Sequence, residues 1–450
     1  MIDAGSTGSR IHIYKFNNCG PSPEFEYEIF KMTQPGLSKY AGQPEDAAAS
    51  LDVLLSEAIR VIPKSLQKCS PIALKATAGL RLLPGSQSQD ILDAVERHLS
   101  KQYPFPFADK EPVVIMDGKD EGVYAWITAN YLLDTIRLDT PKNTSTYAVL
   151  DLGGASTQIV FEPLFTSDDR HLEEGEHKYS LTFAGEKRIL YQHSYLGYGL
   201  MRARNHVHRF VDFMASIRLT HSNKESENGF TGNPCLAKGT RRVVEIHDKQ
   251  TGISRNVTMD GDDIGSFEAC DRVVQLVLAK DTWELYSLML YQAFTLMDAR
   301  PRICELKPCS FNGVYQPSLL DTFPSGKVFL LSYFYDRIFP LLSNIQKSKS
   351  QRPSEPTIKV SDIAQIASSV CQGQTTWEAQ WGSDEDLMNE LKGRPEWCLD
   401  LTFMYTLLRM GYEFEDEREV MIGKKIDGTE LGWCLGATIA MVGGELTCRV

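Results

Sequence analysis

The sequence predicts an α/β protein of two lobes, from two acid-headed loops and from its length. Its first ten residues, Met1-Ile-Asp-Ala-Gly-Ser-Thr-Gly-Ser-Arg10, set a single carboxylate, Asp3, ahead of the small residues Ala4, Gly5, Ser6, Thr7, Gly8 and Ser9. Arg10 then opens an apolar alternation, Ile11 and Ile13, that reads as a strand. The same order returns in Asp151-Leu-Gly-Gly-Ala-Ser-Thr-Gln158, which runs into Ile159, Val160 and Phe161. A loop of small residues lets the backbone approach an anion closely and offers N–H and hydroxyl donors. One such cluster is usually an ordinary hairpin turn; a second acid-headed copy points to a duplicated fold. Length agrees, because 450 residues exceed what one hydrophobic core usually serves.

Around these loops the chain reads as alternating strands and helices. Glu45 to Ile62 predicts a helix, with Ala48, Leu51, Leu55, Ala58, Ile59 and Ile62 at three-to-four spacing on one face. Ile72 to Ala76 is a short apolar strand leading into Thr77-Ala-Gly-Leu-Arg81, and Gln89 to Leu99 is another helix. Val113 to Met116 reads as a buried strand ending in Asp117-Gly118, and Glu121 opens a helix to Leu133. A strand, an acid and a helix in succession mark the end of the sheet where α/β proteins place chemistry. Tyr147 to Leu150 feeds the second loop. The polar stretches 164–178 and 219–234 read as surface loops, and Leu196-Gly-Tyr-Gly199 between them precedes a helix to about Phe213. Ala269 to Leu296 holds one or two helices, and Gly326 to Phe334 returns to strand character. Residues 346–356 form an exposed basic loop whose charge serves solvation rather than a binding patch. Val360 to Val370, Leu387 to Leu391 and Cys398 to Met410 are helical, and Glu430 to Ala440 is a loop entering a final helix.

Composition narrows the function. A hydrophobic fraction of 42% and an aromatic fraction of 10% are those of a folded globular chain. The net charge of −12 excludes a nucleic-acid surface but not a nucleotide ligand, since local amides and a metal offset the global sign. The 10 cysteines are an even set without metal-type CxxC clusters or ligand-spaced histidines, which excludes zinc. With the sequons at Asn143 and Asn256 they favour a lumenal or extracellular compartment. No apolar run is long enough to span a bilayer. Only Met1 and Ile2 precede Asp3, whereas a phosphate hairpin needs a full buried strand before its acid. The strand carrying Asp3, and any anchor or signal before it, are therefore expected upstream of this sequence.

Five segments in order resemble the signature regions of the apyrase (nucleoside triphosphate diphosphohydrolase) family. They are Asp3-Ala-Gly-Ser-Thr-Gly-Ser-Arg10, Lys75-Ala-Thr-Ala-Gly-Leu-Arg81, Asp120-Glu-Gly-Val-Tyr-Ala-Trp126, Asp151-Leu-Gly-Gly-Ala-Ser-Thr-Gln158 and Gly432-Trp-Cys-Leu-Gly436. Cys309-Ser-Phe-Asn-Gly-Val314 and Ser332-Tyr-Phe-Tyr-Asp-Arg337 are most similar to the fungal Golgi guanosine diphosphatase branch. The resemblance implies an actin-like fold of two ribonuclease-H-type lobes around a central cleft. One lobe would be 1–117 plus 425–450, and the other 118–424. It implies hydrolysis of nucleoside diphosphates, GDP and UDP, in the Golgi lumen, by a type II membrane protein whose anchor lies outside this sequence. There the enzyme would clear GDP left by mannosyl transfer.

The roles follow residue by residue. Asp3 and Asp151 would hold a divalent cation, Ca²⁺, Mg²⁺ or Mn²⁺, through water. Ser6, Thr7, Gly8, Ser9, Gly153, Gly154 and Ala155 would bind phosphate. Glu121 resembles the general base, although an acid early in a helix also suits the helix dipole, a part that Asp120 fits better. Thr77, Ser156 and Gln158 match the residues that orient the water, and no phosphoenzyme is expected. Arg10 and Arg81 serve phosphate or structural contacts. Tyr335 aligns with a base-stacking tyrosine, though an aromatic in such a run is more often core. Asp336 would accept from guanine N1–H and N2–H or uracil N3–H, against the alternative of a capping or salt-bridged Asp. By resemblance the disulfides would be Cys304–Cys309, Cys371–Cys398 and Cys235–Cys270, leaving Cys19–Cys69 and Cys434–Cys448. A broader apyrase, another actin-like kinase, ATPase or exopolyphosphatase, and a non-catalytic nucleotide-binding protein are the alternatives. The last would be expected to lack Glu121 or one metal acid, and all three are present.

Overall fold

The structure, a computed structural model, describes residues 1–17, 24–107, 111–165, 171–183, 185–222, 229–247, 254–278, 307–324, 326–342 and 355–442. Cys19, Cys304 and Cys448 lie outside the described residues, as do parts of the elements expected at 164–178, 219–234, 269–296 and 346–356.

Five strands form the first sheet: β1 (Ile2–Ala4), β2 (Ser9–Asn17), β3 (Glu24–Thr33), β4 (Leu74–Ala76) and β5 (Val113–Ile115), in the order β3-β2-β1-β4-β5. β1 runs antiparallel to β2 and parallel to β4. Within this sequence, the three residues of β1 are paired on both sides and seat Asp3. Ile2 and Ala4 enter a core with Ile11, Leu74 and Ala76, so strand alternation turns Asp3 to the opposite face. Against that core packs not one helix but two, Pro44–Ala49 and Asp52–Val61, broken at Ser50 and Leu51. The break re-phases the buried stripe: Leu54 joins Leu51, Leu55 and Ala58 inside, and Ile59 is exposed. The helix at Gln87–Gln102 completes this lobe.

The chain then passes through the helix Gly118–Leu132 into a second sheet. β6 (Ala148–Leu152), β7 (Ser156–Phe161), β8 (Lys178–Phe183) and β9 (Glu186–Leu196) come first. β10 (Thr231–Gly232), β11 (Arg241–His247) and β12 (Ser254–Asp260) form a small separate sheet. β13 (Val328–Ser332), β14 (Thr357–Lys359) and β15 (Glu419–Ile422) complete the order β14-β15-β13-β6-β7-β9-β8, and β16 (Lys425–Ile426) pairs with β17 (Thr429–Glu430). Helices at Leu200–Ser222, Val360–Cys371, Glu385–Gly393 and Trp397–Thr406 lie about it, and the helix Cys434–Val442 packs against the Gly118–Leu132 helix and β2. The Leu200–Ser222 helix runs into a stretch expected as loop. The strand expected to reach Phe334 ends at Ser332, where the helix Tyr333–Ile338 begins. Glu355 and Pro356, expected in an exposed loop, are buried.

Alternation along β6 and β7 decides what the site contains. Leu150, Leu152, Ile159 and Phe161 face the larger core, whereas Val149 and Val160 face a middle core with Trp126, Phe329, Trp433 and Met1. Asp151, Ser156 and Gln158 therefore share the middle-core face, which the 118–132 helix covers. That helix meets the 434–442 helix at Gly436, where a Cβ would lie 2.2 Å from the Tyr124 carbonyl oxygen. Among the described residues no helix is long and apolar enough to cross a membrane.

Cys235–Cys270 and Cys371–Cys398 are disulfides. Cys69 and Cys309 are also disulfide-bonded. Cys434 keeps a free thiol buried at the start of its helix, which corrects the expected Cys434–Cys448 pair. The sequon residues Asn143 and Asn256 are both exposed.

Candidate active site

Asp3 sits directly across from Arg10 in the β1–β2 ladder, and Arg10 Nη1 donates to Asp3 Oδ2 at 3.0 Å. Arg10 is thus spent on a site acid. The other Asp3 oxygen, Oδ1, is buried with no hydrogen-bond partner. The loop after Asp3 is wedged between two glycines. A Cβ at Gly36 would lie 2.4 Å from Gly5 O, and one at Gly79 would lie 2.7 Å from Ser6 Cα. Thr77 is buried at the start of the Ala78–Arg81 helix, and its N–H donates to Ala4 O at 3.2 Å.

The second loop is built from the other side. Gly153 N–H donates to Ser156 O at 3.0 Å and closes the turn. The first amides of the 200–222 helix, Leu200 and Met201, donate to Gly153 O (2.9 Å) and Gly154 O (3.0 Å). In a trans peptide the N–H points opposite the C=O, so the amides of Gly154 and Ala155 face away from that helix. The first loop stands beside Gly154, where a Cβ would lie 2.7 Å from Ser6 Oγ and 3.5 Å from Thr7 Cγ2. The structure therefore brings the two acid-headed loops into contact.

Asp151, at the head of this loop, lies between Gln158 on β7 and Leu331 on β13. The nearby Ser332 side chain favours its ionised form, and Oδ1 is buried without a partner. Burial pushes the Asp151 carboxyl up, and the nearby charge of Asp3 adds to the rise. Ser332 joins strand to helix at φ +58° and ψ −121°, a conformation rare for a side-chain-bearing residue and kept where surrounding structure imposes it.

Glu121 completes the group. Its helix starts three residues earlier than expected and is capped by Asp117, whose carboxylate accepts from Lys119 N–H at 3.1 Å. Capping is thereby Asp117's task, and the buried Glu121 carboxylate accepts instead from Arg81 Nη2. Burial pushes Glu121 up to about 8, with Asp151 and Asp3 adding to the rise and Arg81 opposing it. Three carboxylates thus share one electrostatic space. Gly122 lets the helix approach β7, since a Cβ there would meet Val160 Cγ2 at 3.0 Å and Gln158 Cβ at 3.2 Å. Gln158 Nε2 donates to Ser156 Oγ at 2.9 Å and to Ser194 Oγ, its cross-strand partner, at 3.0 Å.

Tyr335 stacks on Phe339, with centroids 4.5 Å apart and planes inclined by 15°. Asp336 accepts from Lys424 Nζ at 3.0 Å, as the salt-bridged alternative anticipates. Ser194, Ser332 and Lys424 escape the sequence reading. The register of β9 against β7, the end of β13 and the approach of a distant segment bring them in, none of which a local pattern encodes. Arg81, left between phosphate and structural duty, goes to Glu121.

The donor set suits a hard cation: two buried carboxylate oxygens without partners, among hydroxyls and backbone groups. Among the described residues no cluster of three or more His, Cys, Asp or Glu side chains is arranged to hold an ion directly. A cation held by the two carboxylates through water fits both facts.

Residues 1–447 match the model of the GDA1/CD39 (nucleoside phosphatase) family. The guanosine-diphosphatase of Schizosaccharomyces pombe is 45% identical over 443 residues, 98% of this chain and 73% of that protein. The guanosine-diphosphatase of Saccharomyces cerevisiae is 40% identical over 447 residues, 98% of this chain and 79% of that protein. Among solved structures, that of nucleoside triphosphate hydrolases from Neospora caninum superposes with a TM-score of 0.60 at 16% identity, covering 97% of this chain and 91% of that one. This likeness concerns the fold, which is the two-lobed actin-like α/β architecture. Matched over almost its whole length by that family model and by relatives of 40–45% identity, the chain belongs to the GDA1/CD39 (nucleoside phosphatase) family.

Proposed function

We propose that this protein hydrolyses the terminal phosphoanhydride of nucleoside diphosphates, GDP foremost and UDP with it, by direct attack of water. The observation that carries the reading is the convergence of Glu121, Asp3 and Asp151 on one buried space beside two touching loops. Ser6, Thr7, Gly8 and Ser9 from one loop and Gly153, Gly154 and Ala155 from the other bind the terminal phosphate. Ionised Glu121 accepts a proton from water as the water oxygen bonds to phosphorus. The bond from that phosphorus to the bridging oxygen breaks, releasing nucleoside monophosphate and phosphate. Thr77, Ser156 and Gln158 orient the water. The Ser156 oxygen accepts from Gln158, which leaves the Ser156 hydroxyl proton to donate. A divalent cation, Ca²⁺, Mg²⁺ or Mn²⁺, held by Asp3 and Asp151 through water, neutralises phosphoryl charge when bound.

We assign 1–117 with 425–450 to one lobe and 118–424 to the other, in keeping with the residues of the two sheets. The disulfides and the exposed sequon asparagines support a lumenal secretory compartment, the Golgi in our reading, where removal of GDP aids glycosylation. The test is phosphate release from GDP, UDP, ADP and GTP with each cation, for the wild type and Glu121→Gln. We expect Glu121→Gln to lower kcat by about 10²–10⁴-fold. A fully active Glu121→Gln protein overturns the mechanism.

A further inference from the structure

We infer that the Asp336–Lys424 ion pair reads the nucleobase, and selects those that present an N–H beside a C=O: guanine, uracil and hypoxanthine. The inference rests on the proposed diphosphatase reading and adds what chooses the base.

The 333–338 helix leads from the phosphate end of the site toward the pair. Its N-cap, Ser332, favours the ionised Asp151 carboxylate. Tyr333 follows, and its hydroxyl acts electrostatically on Arg10, the partner of Asp3. Phe334, Arg337 and Ile338 turn into the protein, leaving Tyr333 and Asp336 on the outward side. Three residues apart, these two share one helix face. Asp336 therefore stands about one 5.4 Å turn beyond the residue that neighbours the phosphate machinery. Tyr335 and Phe339 stack on one another beside this face and pack partly against the core. Lys424 arrives from the opposite side, directly after β15, where Gly423 N–H donates to Leu330 O at 3.2 Å.

The pair is open to a ligand. The side chains of Asp336 and Lys424 are 38% and 49% exposed, and a surface ion pair of this kind adds little stability. Their chemistry is complementary to one hydrogen-bonding edge. A carboxylate only accepts, and an ammonium only donates. Guanine and hypoxanthine present N1–H with O6, and uracil presents N3–H with O4. Asp336 accepts from the N–H while Lys424 donates to the adjacent oxygen. Adenine and cytosine present a bare ring nitrogen beside an amino group, which sets acceptor against carboxylate and donor against ammonium. A site built to hydrogen-bond a substrate group rejects the analogue lacking it far more strongly than an apolar pocket rejects a change of size.

The experiment measures kcat/KM for GDP, UDP, IDP, ADP and CDP, each divided by the value for ribose 5-diphosphate, which has no base. The wild type should favour the first three by at least about tenfold. Asp336→Ala and Lys424→Met should each collapse that preference through KM, and Lys424→Arg, which still donates, should restore it. A GDP/ADP ratio left within about twofold in Asp336→Ala overturns the inference, as does a wild type that treats all five alike while releasing phosphate from each. A wild type that releases phosphate from none of the substrates defeats the diphosphatase reading itself.

Discussion

At the scale of single residues, the site turns on how one buried carboxyl is kept ready. Burial and two neighbouring acids hold Glu121 up to about 8, and Arg81 is the group pulling it down. A general base must be ionised to accept a proton, so the rate falls as pH drops below the shifted value. Removing the guanidinium takes away the stabilisation of the charged form, and Glu121 moves further up. We therefore expect Arg81→Gln to displace the acid limb of the kcat/KM–pH profile to higher pH. A limb that stays put or moves to lower pH contradicts this role for Arg81. Ser332 acts in the same way at a different acid: its nearby side chain favours ionised Asp151.

At the scale of elements, precision comes from glycines and one buried ionic cluster. Asp400, on the 397–406 helix, accepts from Arg204 Nε at 2.6 Å and from Arg337 Nε at 2.8 Å. This ties together the helix that supports the second loop and the helix that begins at Ser332. Asp400 is fully buried, so Asp400→Asn leaves two cations with no charged partner. The expected cost is about 3–5 kcal/mol of folding stability, measured by urea unfolding. The helices and strands that sequence made legible are those with strong local patterns: β2, β4, β5, the 87–102 helix and the 360–371 helix. The two loops were legible because acid, small residues and strand follow one another along the chain, whereas Glu121 stood out at a strand-to-helix junction and took its role from the family resemblance. What stayed hidden depends on register and long closure. Gln158 meets Ser194 across 36 residues, and Arg204 meets Asp400 across 196. β11 reads Arg-Arg-Val-Val-Glu-Ile-His, where charges on the open face mask its strand character. The break at Ser50–Leu51 hides inside a continuous apolar stripe.

At the scale of the molecule, covalent links secure the lobe that carries the second loop. Cys371–Cys398 closes a span of 27 residues and joins the 360–371 helix to the 397–406 helix, which bears Asp400. Replacing both cysteines with alanine should lower stability by about 3–4 kcal/mol, read from chemical denaturation. An unchanged midpoint with an unchanged slope would show that the packed helices need no link. The contact between Ser6 and Gly154 has its own consequence. On the proposed function, two touching loops would admit a chain of phosphates by its end rather than its middle. We expect phosphoryl groups to leave one at a time from the free end, with GTP yielding phosphate and no pyrophosphate; pyrophosphate among the products contradicts this.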